Sequence, residues 1–273
     1  MSTSTLVACD LDRTLIYSKN ALWLTGADKD APALVVAEVY EGAPLSFMTC
    51  AAKELLLSVK AAATFVPVTT RTQAQYERVQ LPGAVPNYAI TSNGGVLLHR
   101  GIPDALWHEQ LSARMAAGCA PVETIDAYLS KPDFASWILR VRRAEDLFVY
   151  AIIDREAMPD SFLVELMALC ADAGWSVSVQ GRKLYCVPLP INKTDALAEV
   201  ARRTGAGTVI AAGDSLLDQG MLEHADLAYR PLHGELHDAG YSATHLRLTS
   251  VRGVMAGEEI LRSILAELPS PPR

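Results

Sequence analysis

Short apolar runs bounded by polar or turn-forming residues recur along the chain, at Leu6 to Cys9, Phe65 to Val68, Tyr88 to Ile90 and Val209 to Ala212. Each is too short for a helix and uninterrupted by polar residues, the pattern of strands buried on both faces. Between them lie stretches of helical character: Ala51 to Ala63, Gln73 to Val79, Thr194 to Arg203 and Met255 to Leu268. Strands alternating with helices predict an α/β fold, a Rossmann-like parallel sheet covered on both faces.

The middle of the chain has another rhythm. A helical stretch from Pro103 to Leu129 is followed by Trp137 to Val141 and Leu147 to Ile153, which alternate like an antiparallel pair with one solvated face, joined by a turn at Arg143 to Asp146. A helix from Pro159 to Ala173 comes next, and then Trp175 to Val179 pairs with Lys183 to Val187 across Gln180-Gly181-Arg182. This twofold helix-strand-strand plan predicts an inserted α+β domain at 101–186, with the core formed by 1–100 and 187–273. Between the first two core strands, Ala33 to Val39, Glu41-Gly42 and Pro44 to Met48 read either as a β-hairpin or as an irregular flap. The terminal LPSPPR is expected to fray.

Composition narrows the function classes. The chain has 273 residues, half of them hydrophobic, a net charge of −7 and scattered basic residues. That leaves no footprint for a nucleic-acid backbone. No run of about 18 apolar residues occurs and the first residues lack a basic leader, so no membrane association and a cytoplasmic location are expected. Five cysteines without a CxxC pair suggest neither a disulfide framework nor a thiolate metal site. The six histidines have no metal-ligand spacing, so a zinc hydrolase is unsupported.

The candidate chemistry begins at VACDLDRTL, where the first strand ends on Asp10 with Asp12 two residues later. In an open parallel sheet, functional groups collect beyond the carboxyl ends of the strands. Two carboxylates about 4 Å apart repel by roughly 4 kcal/mol at an effective dielectric near 20, so the pair wants a cation or a raised pKa. Those remedies suit a nucleophile beside a general acid/base; two aspartates capping a turn are the other reading. FVPVTTRT places Thr69 and Thr70 at a second strand end, where a hydroxyl and amides can hold an anion or simply cap a helix. Lys193 opens a helix against its macrodipole, and VIAAGDSLLD presents Asp214 and Asp218 after a third strand. Carboxylates of this kind suit Mg²⁺.

The joint order of DxDxT, a strand-end Thr, a helix-opening Lys and GDSxxD resembles the four-motif pattern of the haloacid dehalogenase (HAD) superfamily. The position and plan of the insert, together with YAITSNGG, resemble the C2B-capped branch of Cof and sucrose-phosphate phosphatase-like members. The resemblance implies that Asp10 is the nucleophile forming an aspartyl-phosphate, Asp12 the general acid/base and Thr69 a phosphoryl-binding residue. It implies that Lys193 neutralises charge on Asp10 and the phosphate. Asp10, the Asp12 carbonyl and Asp214 would bind Mg²⁺, with Asp218 completing the shell directly or through water, and Thr14 would order the motif turn. Thr70, Arg71, Asn93 and Gly94 are further candidate substrate contacts, although solvated positions are the ordinary reading for Arg13 and Arg71. Asp12 sets halide chemistry aside, because dehalogenases of the superfamily lack a second acid.

Three positions depart from the pattern. Arg13 stands where Gly is common and is strained if that position needs positive φ; Thr70 replaces the Gly of TGR; Leu217 replaces the Asn of GDxxND. The implied function is a Mg²⁺-dependent phosphatase of a small phosphorylated metabolite, a sugar phosphate first and a nucleotide or ribosyl phosphate second. A phosphomutase of the phosphomannomutase type and a non-catalytic HAD-fold binding module are the alternatives. A C2 cap would supply specificity, with Arg140, Arg142, Arg182 and Lys183 as candidates on exposed strand or turn positions. The sequence leaves the oligomeric state open.

Overall fold

In the computed structural model, residues 4–269 are described. The fraying expected of LPSPPR falls mainly on residues 270–273, outside them. The chain divides into two compact units, one formed by residues up to Pro103 and from Lys193 onward, the other by Asp104–Asn192.

The first unit is built on an eight-stranded sheet. In spatial order its strands are Leu246–Leu248, Leu227–Arg230, Ala206–Ala212, Ser4–Asp10, Thr64–Val68, Tyr88–Thr91, Val96–His99 and Ile102–Pro103. The first six pair parallel and the last two join through antiparallel pairings, so that Val96–His99 alone is reversed. The strand that ends at Asp10 is therefore central, with Cys9 beside Ala212 and Asp10 beside Val68. That register brings the residues after three strand ends together: Asp10, Thr69 and Asp214.

Side-chain alternation sorts the two faces of the sheet. Val7 and Cys9 point into a core shared with Ala52, Leu56 and Val59 of the helix Cys50–Ala62, and with Ile260, Leu261 and Ile264 of the helix Val254–Glu267. Leu6, Ala8 and Asp10 point the other way, and the helix Lys193–Thr204 packs against this strand and its neighbour Ala206–Ala212. The four apolar residues Leu6 to Cys9 are fully buried, as a doubly covered strand requires.

The segment after the first strand is a hairpin. Leu34–Tyr40 and Ala43–Thr49 pair across Glu41 and Gly42, both left-handed (φ 50° and 77°), and Tyr17–Ser18 adds a short third strand. Thr49 then caps the next helix by accepting from the Ala52 amide. The helix expected over Gln73 to Val79 stops at Tyr76. Its continuation is docked on the hairpin instead, through a Glu38–Val79 bridge and a hydrogen bond from the Gln80 amide to the Ala37 carbonyl.

The second unit has a four-stranded antiparallel sheet in the order Trp175–Gln180, Lys183–Pro188, Phe148–Ile153, Ile138–Ala144. The single helix expected from Pro103 to Leu129 is two, Ala105–Gly118 and Val122–Leu129. The break is held open because Cys119 to Pro121 is docked on the segment before the last hairpin: the Ala120 amide donates to the Ala173 carbonyl and the Trp175 indole donates to the Ala120 carbonyl. Gly174 fits there because a Cβ would lie 2.0 Å from the Gly118 carbonyl oxygen. The turn expected at Arg143 to Asp146 is formed by Glu145, Asp146 and Leu147, with Arg143 inside the strand and ion-paired to Glu123 and Asp126 of the Val122–Leu129 helix. Arg140 and Arg142 are exposed on the face opposite Arg143. Arg140 and Lys183 both neighbour Ile152, one from each side, while Arg182 lies in the turn. Among the described residues no helix is long and apolar enough to cross a membrane.

Candidate active site

Asp10, Asp214 and Asp218 form a buried cluster in which one ligand atom from each lies within 4.8 Å of the others. Lys193 enters it from the first turn of its helix, donating to Asp10 Oδ1 at 2.6 Å and to Asp218 Oδ1 at 2.5 Å. The lysine is 1% exposed. A buried cation at that helix end is explained by these two carboxylates, whose attraction raises its pKa against the effect of burial.

The three aspartates are placed by different means. Asp10 ends the central strand. Asp218 is locked by the protein itself: its Oδ2 accepts from the Asp214 and Ser215 amides and the Ser215 hydroxyl, a capping box that shapes the GDSLLD loop. Gly213 is required by this arrangement, since a Cβ there would lie 2.5 Å from Asp218 Cβ. Asp214 is backed by Gly234 (φ 91°), where a Cβ would lie 2.4 Å from Asp214 Oδ2, and its carbonyl accepts from the Leu236 amide. Among the described residues, the one ion contact of the Asp214 carboxylate is Arg13 Nε at 3.7 Å.

The charges do not balance. Three buried carboxylates face one buried ammonium and a half-exposed guanidinium. Burial, with repulsion from Asp218, pushes the Asp10 carboxyl up to about 8 despite Lys193. Burial, with repulsion from Asp10 and Asp218, holds Asp214 well above the carboxylate range. A hard divalent cation among these oxygens would remove that penalty, and an all-carboxylate donor set is the kind that selects one. Asp10 and Asp214 fit as its ligands, while Asp218 is the most heavily engaged by protein donors.

Asp12 is not part of this cluster. Its carboxylate is clamped in bidentate fashion by Arg71, Nε to Oδ2 at 2.6 Å and Nη2 to Oδ1 at 2.8 Å. The two aspartates of DxD thus have a cation each, Lys193 and Arg71, which answers the repulsion posed by their spacing. Arg71, whose ordinary reading is a solvated surface residue, is 12% exposed at its side chain. Its third contact is Nη1 to Glu38 Oε2 at 2.8 Å, and Glu38, completely buried, also takes Arg78 Nε at 3.1 Å and the Ser46 hydroxyl at 3.1 Å. Glu38 has no signature in the sequence, because its partners lie on other segments and only the hairpin brings them together.

Thr69 is buried, and its hydroxyl oxygen accepts from the Arg71 amide at 3.1 Å. Thr70 is half-buried. Asn93 (φ 59°) and Gly94 (φ 97°) lie in a left-handed turn whose Asn93 amide donates to the Thr69 carbonyl, so they support the Thr69 loop. Thr14 is fully buried and orders its turn through the backbone, its amide donating to the Leu11 carbonyl and its carbonyl accepting from the Tyr17 hydroxyl. Arg13 adopts φ 64°, a left-handed conformation strained for a residue with a side chain, stacks 5.1 Å from the Trp23 ring, and has its carbonyl held by buried His233 at 2.8 Å.

No family model matches the chain, and no curated protein does. Solved structures do. The chain is similar to the sucrose-phosphatase from Synechocystis sp. PCC6803, solved with sucrose and phosphate, at 14% identity and a TM-score of 0.65, covering 97% of this chain and 98% of that one. It is similar to BT1666 from Bacteroides thetaiotaomicron, a HAD superfamily phosphatase, at 14% identity and a TM-score of 0.54, covering 96% and 95%. It is also similar to the HAD subclass IIB sugar phosphatase BT4131, at 14% identity and a TM-score of 0.53, covering 95% and 98%. The chain has the fold of the haloacid dehalogenase superfamily phosphatases.

Proposed function

We propose that the chain is a Mg²⁺-dependent phosphatase that hydrolyses a small phosphorylated metabolite, a sugar phosphate before others, through an aspartyl-phosphate on Asp10. The observation that carries the reading is the buried Asp10–Lys193–Asp218 network beside Asp214, at the carboxyl ends of adjacent parallel strands, with Asp12 held apart by Arg71. The names of the similar structures, a sucrose-phosphatase and a sugar phosphatase, support the substrate class.

In this reading Asp10 attacks phosphorus with Oδ2, the oxygen not bonded to Lys193, and the P–O bond to the leaving alcohol breaks. Asp12 gives that alcohol a proton and then takes one from the water that hydrolyses the aspartyl-phosphate. Lys193 offsets charge on Asp10 and on the phosphoryl oxygens, and the Thr69 hydroxyl hydrogen-bonds one of those oxygens. Asp10, the Asp12 carbonyl and Asp214, with Asp218 behind them, would hold a magnesium ion, which when bound would supply positive charge to offset that of the phosphoryl group. The 104–192 unit acts as the C2-type cap, with Arg140, Arg142, Arg182 and Lys183 as its candidate specificity residues. Five free cysteines suit a cytoplasmic enzyme.

Purified protein with Mg²⁺ is expected to release phosphate from at least one member of a broad panel of phosphorylated sugars and nucleotides. Asp10→Asn is expected to abolish that turnover while leaving circular dichroism and thermal unfolding cooperative. Silence of the wild-type protein across the panel, or an active Asp10→Asn variant, overturns the reading.

A further inference from the structure

Asp12 carries half of the proposed proton chemistry, yet it lies just past the end of its strand and its side chain is 47% exposed. A carboxylate so placed has rotational freedom unless something fixes it. Arg71 does so with two hydrogen bonds in fork geometry, but Arg71 is itself a long side chain on a loop, with rotamer entropy of its own to lose. What fixes Arg71 is the buried hairpin carboxylate of Glu38.

We infer that Glu38 is a positioning residue for the acid/base. Its Oε2 holds Arg71 Nη1, so the opposite edge of the guanidinium, Nε and Nη2, stays in register with both oxygens of Asp12. Glu38 is fixed in turn. Arg78 holds Oε1, the Ser46 hydroxyl from the facing strand of the hairpin holds Oε2, and the backbone bridge to Val79 ties its strand to the segment that follows Arg71. Every member of the chain from Arg78 through Glu38 and Arg71 to Asp12 bonds the next at 2.6–3.1 Å. The hairpin between the first two core strands thus reaches the reacting groups without touching substrate. A buried carboxylate costs several kcal/mol unless fully partnered, and here two arginines and a hydroxyl partner it.

The inference rests on the phosphatase reading for its kinetic test, and a second readout makes it testable without that reading. The leaving group separates the roles, since p-nitrophenolate departs without a proton whereas an alkyl alcohol needs one. Glu38→Gln is expected to lower kcat for an alkyl phosphate about tenfold and that for p-nitrophenyl phosphate less than about twofold, with KM unchanged. In an Asp12→Asn background the same substitution is expected to add nothing. Equal losses on both substrates, or a full additional loss in the Asp12→Asn background, overturn the inference in favour of a merely structural Glu38. Independently of turnover, the Arg71 Nε–H resonance is expected to be slow to exchange in the wild-type protein and to lose that protection in both Glu38→Gln and Asp12→Asn. Unchanged protection in Glu38→Gln overturns the inference even if no substrate is ever hydrolysed. If wild-type protein is inactive but the resonance behaves as stated, the phosphatase reading fails and the positioning role stands. Should Glu38→Gln not fold, Glu38→Asp, which keeps the charge and withdraws it from Arg71, is expected to give the same leaving-group-dependent loss, and a uniform loss overturns the inference.

Discussion

Arg13 keeps a left-handed backbone at φ 64°, a conformation that costs a side-chain-bearing residue about 1–2 kcal/mol. Its gains are an exposed cation–π stack on Trp23, of about 0.5–1 kcal/mol, and a loose 3.7 Å contact with Asp214. The strain is the larger quantity. Arg13→Gly is therefore expected to raise the midpoint of thermal unfolding by about 2–4 °C, measured by scanning calorimetry in the absence of metal. Gly234 is the opposite case, because a methyl group there would meet the Asp214 carboxylate at 2.4 Å in a left-handed backbone. Gly234→Ala is expected to destabilise the fold by about 1–3 kcal/mol and to abolish Mg²⁺ binding in a calorimetric titration. At this scale the sequence reveals residues whose charge is anomalous where they stand. Asp10, Lys193 and Asp214 all put charge at a strand or helix end, and the fold gathers them together. Glu38 stays hidden, and Arg71, a candidate substrate contact from the sequence, gives no sign of its clamp on Asp12, since an arginine in a polar loop and a glutamate in a half-polar strand each look ordinary until the hairpin folds back.

Elements show the same division. The buried parallel strands were legible because their apolar runs have no other use, and the hairpin over Leu34–Tyr40 and Ala43–Thr49 resolves one of two open readings. Helix ends were less legible where a tertiary contact decides them. Gln73–Tyr76 stops short because Val79 and Gln80 bond the hairpin, and Ala105–Gly118 stops because Cys119 to Pro121 bonds the approach to Trp175. The first cause is not local and leaves no pattern near its break, whereas the second break is also marked in the sequence by Gly118 at the helix end and Pro121 just beyond it. The turn at Glu145 and Asp146 carries an energetic consequence: both residues are left-handed, at φ 52° and 55°, although neither is glycine or asparagine. They are the two central residues of a β-turn closed by the Leu147 amide on the Ala144 carbonyl, and left-handed central pairs favour Asn-Gly. The double substitution Glu145→Asn with Asp146→Gly is expected to stabilise the 104–192 unit by about 1 kcal/mol, read as a higher denaturant midpoint at unchanged slope.

For the whole molecule, stability, pH and metal are linked through the buried charges. The Asp10 carboxyl is pushed up to about 8, so the metal-free fold binds a proton that the unfolded chain has already released. Its contribution is greatest below the unfolded value of about 4 and is lost as pH rises through about 8. His233, buried beside Arg13 and pushed down to about 4, works in the other sense: its contribution is present above about 6.5 and is lost as pH falls through 4. Metal-free protein is therefore expected to unfold at a lower temperature at pH 8 than at pH 6. Added Mg²⁺ is expected to raise the unfolding temperature more at pH 8, where the carboxylates it neutralises are ionised. An equal rise at both values would contradict the assignment of the cluster as a cation site.

Lys193 is the residue with which the chain re-enters the first unit, one position after Asn192. The inserted unit is attached through two covalent crossings of unequal tolerance. At Pro103 the chain leaves from an exposed edge strand that contributes nothing to the charged cluster, so a different insert could begin there at little cost. At the other crossing there is no slack: a graft must deliver the backbone to the start of a helix whose first side chain bonds both Asp10 and Asp218. Swapping the insert for a foreign one, in the laboratory or over evolutionary time, is thus constrained at a single junction. Grafts that differ in length, sequence and fold are admissible so long as they end in phase with Lys193.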